Sequence, residues 1–227
     1  MAAQPKRKSE LRAPLSRERA LNAALALADA EGLGSVTMRK VAQALGVEAM
    51  SLYHHVANKD DILDGMVDMV FGEIELPSDA TDWKTAMRQR GSSVRAALTR
   101  HPWAITIMES RTSPGPATLQ HLDAMIGRCR RAGFSVEMAA HAISLLDSYI
   151  YGFVMQEVNL PFDDESELGE LVEQIMPDLS IATHPYLLEL TTEYVLQPGY
   201  SYGNEFDFGL GLVLDGLEAA ALGTPRK

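Results

Sequence analysis

Residues 36–59, VTMRKVAQALGVEAMSLYHHVANK, decide how the rest of the chain is read. Met38, Val41, Ala42 and Leu45 have the spacing of one face of a short helix over 37–45. Gly46 ends that helix, because glycine enters the left-handed conformation at a C-terminus without a Cβ clash. Val47 is read as a buried pivot. A second short helix is predicted over 48–54, with Leu52 pointing back at Ala42, which must be small where the two helices cross. A small residue, a glycine four positions later and a leucine six after that spell a helix-turn-helix.

In such a unit the second helix enters the DNA major groove. Here it offers Ala49, Met50, Ser51, Tyr53, His54 and His55. Ala49 and Met50 can meet thymine methyl groups but cannot read guanine, whereas Ser51 can donate to a base edge or a phosphate. Thr37, Arg39, Lys40, Tyr53, His55 and Lys59 suit phosphates, which fix register rather than sequence. Asn58 is the expected cap of the next helix, with Asp60 and Asp61 in its first turn, where the helix dipole favours negative charge.

Working outward, residues 1–15 contain PKRK and Arg12 and read as a flexible basic arm. Ser16 caps a helix over 16–31, so residues 16–58 form a three-helix DNA-binding domain. Residues 59–227 form a larger domain. Helices are predicted there over 59–75, 83–100, 103–109, 117–131, 136–157, 166–176, 185–196 and 204–221. No strand pattern and no internal repeat appear, so the expected fold class is all-α.

The 227-residue chain carries a net charge of -11, which taken whole argues against a nucleic-acid partner. The charge is divided unevenly. Residues 1–59 hold 9 Lys+Arg and 5 Asp+Glu, net +4; residues 60–227 hold 11 and 26, net -15. Only the first part suits phosphate, and the acidic remainder should face away from DNA. The single cysteine, Cys129, allows no intrachain disulfide, which suits a reducing cytoplasm. No apolar run approaches a membrane span of roughly 18 residues. The histidines, including His101, His121, His141 and His184, show no HExxH or Cys-His spacing, so a helical metal-dependent enzyme is the weakest reading and no cofactor is expected.

A lone helix-turn-helix contacts few base pairs, so such heads work in pairs. The helices over 136–157 and 204–221 are more apolar than one side of a monomer core needs. They are the candidate homodimer surface, through Leu145, Ile150, Phe206, Gly209, Leu210, Val213, Gly216 and Leu217. An apolar cavity among Met66, Met69, Trp103, Met108, Met125, Tyr149, Phe153 and Gln156 is the candidate effector site. A DNA-binding architectural protein without a ligand is the competing reading, and its larger domain would be solidly packed.

The stretches T-x-R-K-V-A-x-x-L-G-V and S-L-Y-H-H-V-x-N-K resemble the tetracycline-repressor (TetR) family of bacterial regulators, most strongly over residues 17–64. The resemblance implies a homodimeric repressor whose subunits join through a four-helix bundle. It also implies that a small molecule among the body helices shifts the sixth helix, drags the fourth and releases a palindromic operator. Ala49-Met50-Ser51 and His54 depart from the tetracycline-responsive members of that family, which implies a different operator, and Glu75 replaces a drug-contacting histidine, so tetracycline is not the expected effector.

Overall fold

Arg17–Glu31 forms α1, with Ser16 accepting a hydrogen bond from the Arg19 N–H at 3.2 Å. The computed structural model describes residues 14–76, 78, 81–162 and 164–222, so the expected basic arm lies almost wholly outside the described residues. Met38–Leu45 forms α2, capped by Thr37, and Gly46 follows at φ 67°, the left-handed turn predicted for it. Ala49–Leu52 forms α3, shorter than the 48–54 expected from sequence. The chain turns out of the helix because Val56 is pulled into the core, its N–H and that of His55 both donating to the Leu52 carbonyl.

Asn58 caps α4, Lys59–Gly72, by accepting from the Asp61 N–H at 2.9 Å. Asp82 caps α5, Trp83–Arg100, in the same way. The single helix expected over 103–109 is instead two tight 3-10 turns, Pro102–Thr106 and Met108–Ser110. Hydroxyls of Thr106 and Ser110 donate to the carbonyls of Trp103 and Ile107, taking up acceptors that a continuous helix would use. Then come α6, Pro116–Arg131, and α7, Val136–Glu157, capped by Ser135. Glu165–Ile175 is α8 and Pro185–Leu190 is α9, which widens into a π turn over Thr191–Val195. Asn204–Leu222 is α10. Among the described residues there is no strand, and no helix is long and apolar enough to cross a membrane.

One apolar core runs through α1 to α7 and α10. Ala24, Val41, Ala42 and Leu52 lock α1, α2 and α3 together, and Ile62 and Met66 of α4 carry the core into the larger part. There α5, α7 and α10 pack around Val94, Leu98, Leu146, Leu210 and Leu214. Gly209 is needed for this. A Cβ on it would lie 2.3 Å from the Tyr149 hydroxyl, which donates to the carbonyls of Glu205 and Phe206.

That packing corrects five of the eight residues of the expected dimer surface. Ile150, Phe206, Leu210 and Leu217 are buried within the protomer, and Gly209 faces α7 of its own chain. Leu145 and Gly216 are exposed and Val213 is half-buried. A helix that is apolar nearly all round has an inner and an outer stripe, and spacing alone does not tell them apart.

Candidate nucleic-acid interface and effector cavity

The end of α3 stands out from the protein. Met50 is 74% exposed and Tyr53 48%, and His54 beside them is exposed. Ser51 and His55 are half-buried, while Ala49 packs partly against the core. Around this tip lie Thr37, Arg39 and Lys59, all exposed. Lys40 is also exposed but pairs with Glu31 at 2.6 Å, a surface bridge that DNA phosphate could exchange at little cost. Arg17 of α1 grips Asp61 at 2.7 Å; that hydrogen bond holds the Asp61 carboxyl below its usual range, against a smaller opposing effect of burial. The start of α4, which carries Lys59, is thus tied to α1.

A cavity of about 770 Å³ opens between α4, α6 and α7. Its apolar wall includes Val67, Phe71, Met108, Ile126, Ala139 and Ile143; its polar end gathers Arg90, Ser144, Asp147, Ser148 and Tyr151. Burial, then the charge of Asp147, push the Tyr151 phenol up, so it remains a neutral hydroxyl. Of the eight side chains expected from sequence, Met108 lines this space. Met125 lines a smaller neighbouring one of about 210 Å³. Met66 is in the core and Met69 packs against it. Trp103 donates its indole N–H to Asp29 at 2.7 Å. Tyr149 packs tilted and Phe153 edge-on against Phe206 on the α10 side, and the exposed Gln156 accepts from Tyr202. The stripe of α7 that meets the cavity is Ala139, Ile143, Asp147 and Tyr151, a different face from the aromatic one.

Several working residues escape a reading by spacing because their partners are far off in sequence. Arg111 lies on the cavity rim and reaches Asp64 at 2.5 Å and Asp60 at 3.1 Å, both on the first turns of α4. His101 sits between Asp29 at 2.8 Å and Glu73 at 3.1 Å. Asp68 of α4 accepts from the backbone N–H of Thr118 at 2.8 Å, capping α6 where Gly115 has no side chain to do so. The segment 101–111 therefore touches the cavity through Met108, α1 through His101 and Trp103, and α4 through Arg111.

Residues 20–66 match the family model described as bacterial regulatory proteins, tetR family, and residues 76–221 match the tetracyclin repressor-like C-terminal domain. The chain belongs to the TetR family. TetR-family members are DNA-binding transcriptional regulators, not enzymes. This TetR-family chain is similar to the HTH-type transcriptional repressor DrrR1 of Streptomyces coeruleorubidus, 30% identical over 216 residues that cover 90% of this chain and 77% of that one. It is also similar to the class C tetracycline repressor of Escherichia coli, 29% identical over 213 residues, 92% and 94% of the two chains. Among solved structures, the TetR-family protein ActR of Streptomyces coelicolor in complex with actinorhodin superposes with a TM-score of 0.77 at 26% identity, covering 92% of this chain and 98% of that one.

Proposed function

We propose that the protein is a homodimeric repressor that leaves a palindromic operator when an apolar small molecule enters the cavity between α4, α6 and α7. One observation carries this reading: a single segment, 101–111, lines the cavity and grips both α1 and the start of α4. A molecule that displaces Met108 or Arg111 therefore pulls on the helices that aim Tyr53 and Lys59. ActR is named in complex with actinorhodin, which supports a small-molecule site in a relative of similar fold. A cavity of about 770 Å³ favours this over a ligand-free architectural DNA binder.

In this reading residues 16–58 are the reading head, residues 1–15 a basic arm along the duplex, and residues 59–227 the effector-binding and dimerising body. Met50 and Ala49 meet thymine methyls, Ser51 and His54 meet base edges, and Thr37, Arg39, Lys40, Tyr53, His55 and Lys59 hold phosphates. The second copy covers the outer apolar surface of α7 and α10, where Leu145, Met155, Phe208 and Leu212 are exposed. The protein works in the cytoplasm, beside the DNA.

Fluorescence anisotropy with DNA fragments from the chromosomal neighbourhood of its gene tests the reading. Specific binding to a palindrome is expected, with log Kd rising steeply with log salt because the contacts are mainly to phosphate. Indifference to every fragment would sink it. A hundredfold release by effector corresponds to about 2.7 kcal/mol of coupling.

A further inference from the structure

Beside the polar end of the cavity, which Arg90 lines, lie two buried nitrogen atoms without a hydrogen-bond partner. Arg90 is 2% exposed. Its Nε donates to Nε2 of His121 at 3.1 Å and its Nη2 pairs with Asp147 at 2.5 Å. Its Nη1 has no hydrogen-bond partner, and neither has Nδ1 of His121. Because Nε2 of His121 accepts from Arg90, the proton of the neutral ring sits on Nδ1. Burial, then the charge of Arg90, lower His121 to about 4, so the ring is neutral at physiological pH. Both unmatched atoms are therefore donors, and leaving a buried donor unmatched costs more than an ordinary hydrogen bond contributes.

The charges around them are already closed. Arg90 is balanced by Asp147 and Arg111 by Asp64. Glu109 adds a further negative charge to the lining. An anionic ligand would find both cations taken and would approach Asp147 and Glu109 against repulsion. What Arg90 Nη1 lacks is a hydrogen-bond acceptor; the charge of the side chain is already balanced.

We infer that the effector is a neutral, largely apolar molecule bearing a carbonyl-type oxygen, which accepts a hydrogen bond from Arg90 at the α5–α7 end of the cavity. This rests on the effector reading above. The apolar wall holds the skeleton, and Ser144 and Ser148 are among the polar residues of the lining.

Four compounds on one tricyclic skeleton test it: 9-fluorenone, fluorene, fluorene-9-carboxylate and 9-aminofluorene. Each is titrated by calorimetry into the full-length protein. Fluorenone is expected to bind about tenfold tighter than the other three or more, since a site with a stranded charged donor discriminates against analogues lacking the acceptor. Its bound carbonyl stretch should fall below the value in heptane. In Arg90→Lys the preference for fluorenone over fluorene should shrink to about threefold or less. Should that variant not fold, the series on the unaltered protein still decides. Equal binding of fluorenone and fluorene, or a preference for the acid or the amine, would overturn this inference while leaving the effector reading standing. A preference that survives Arg90→Lys would overturn the role of Arg90. Absence of binding by all four would overturn both.

Discussion

Leu52 and Tyr53 are neighbours with opposite duties. Leu52 is fully buried against α2, and its truncation to alanine should cost about 2–5 kcal/mol in denaturant unfolding. Tyr53 is half exposed. Tyr53→Ala should lower specific DNA affinity about tenfold or more, measured by anisotropy, while the thermal midpoint and the sedimentation coefficient stay as they were. Unchanged affinity would remove Tyr53 from the interface. His121 gives a prediction in pH. Its folded value, about 4, lies below the ordinary 6.5, so between these the unfolded chain binds the extra proton. Stability contributed above pH 6.5 is thus lost as pH falls towards 4, by on the order of 3 kcal/mol. His121→Gln should flatten that slope in urea titrations between pH 7 and 4.5; an unaltered slope would place the proton elsewhere.

At the scale of elements, the caps were legible and the cavity was not. Ser16, Asn58, Asp82 and Ser135 bond to N–H groups within three residues, so sequence alone shows them, whereas Thr37, read as the first residue of its helix, is the cap before it. The truncation of α3 depends on burying Val56, and the broken helix over 103–109 depends on hydroxyls finding local carbonyls; neither leaves a periodic trace. The cavity takes its lining from several helices and two turns, with Arg90, His121 and Asp147 meeting across dozens of residues. Methionine content pointed to Met108 but equally to Met66, which is core. The ties between elements make a prediction of their own. Arg111→Ala cuts the rim of the cavity from Asp60 and Asp64 of α4. Effector affinity should change by about threefold or less, while release of DNA by saturating effector should weaken about tenfold or more, read as the ratio of operator Kd with and without it. Full release in the variant would show that the signal travels through another contact, such as His101 on Asp29.

At the scale of the whole molecule, the first 59 residues carry net +4, the remainder net -15, and large apolar side chains stay exposed on α10. Phe208 is 68% exposed and Leu212, one turn on, is 59% exposed, more than a solitary protein of this size needs to show. Phe208→Glu with Leu212→Glu should give monomers in sedimentation velocity and, with one head per particle, lose the palindrome at concentrations where the unaltered protein binds. Glycine substitutions are a poorer probe here than sequence suggests, because Gly209 abuts Tyr149 inside the protomer while Gly216 faces open space. Persistence of dimers in the double variant would move the interface to another face. The chain has one cysteine, Cys129, and it is buried, with burial pushing its thiol up. The folded protein should therefore ignore maleimide at neutral pH. A cysteine introduced at exposed Ala57 would then be the sole anchor for a fluorophore or spin label, one per chain and two in the proposed dimer. The gap between those labels becomes a ruler for the distance separating the heads, readable with and without effector and without removing any native thiol.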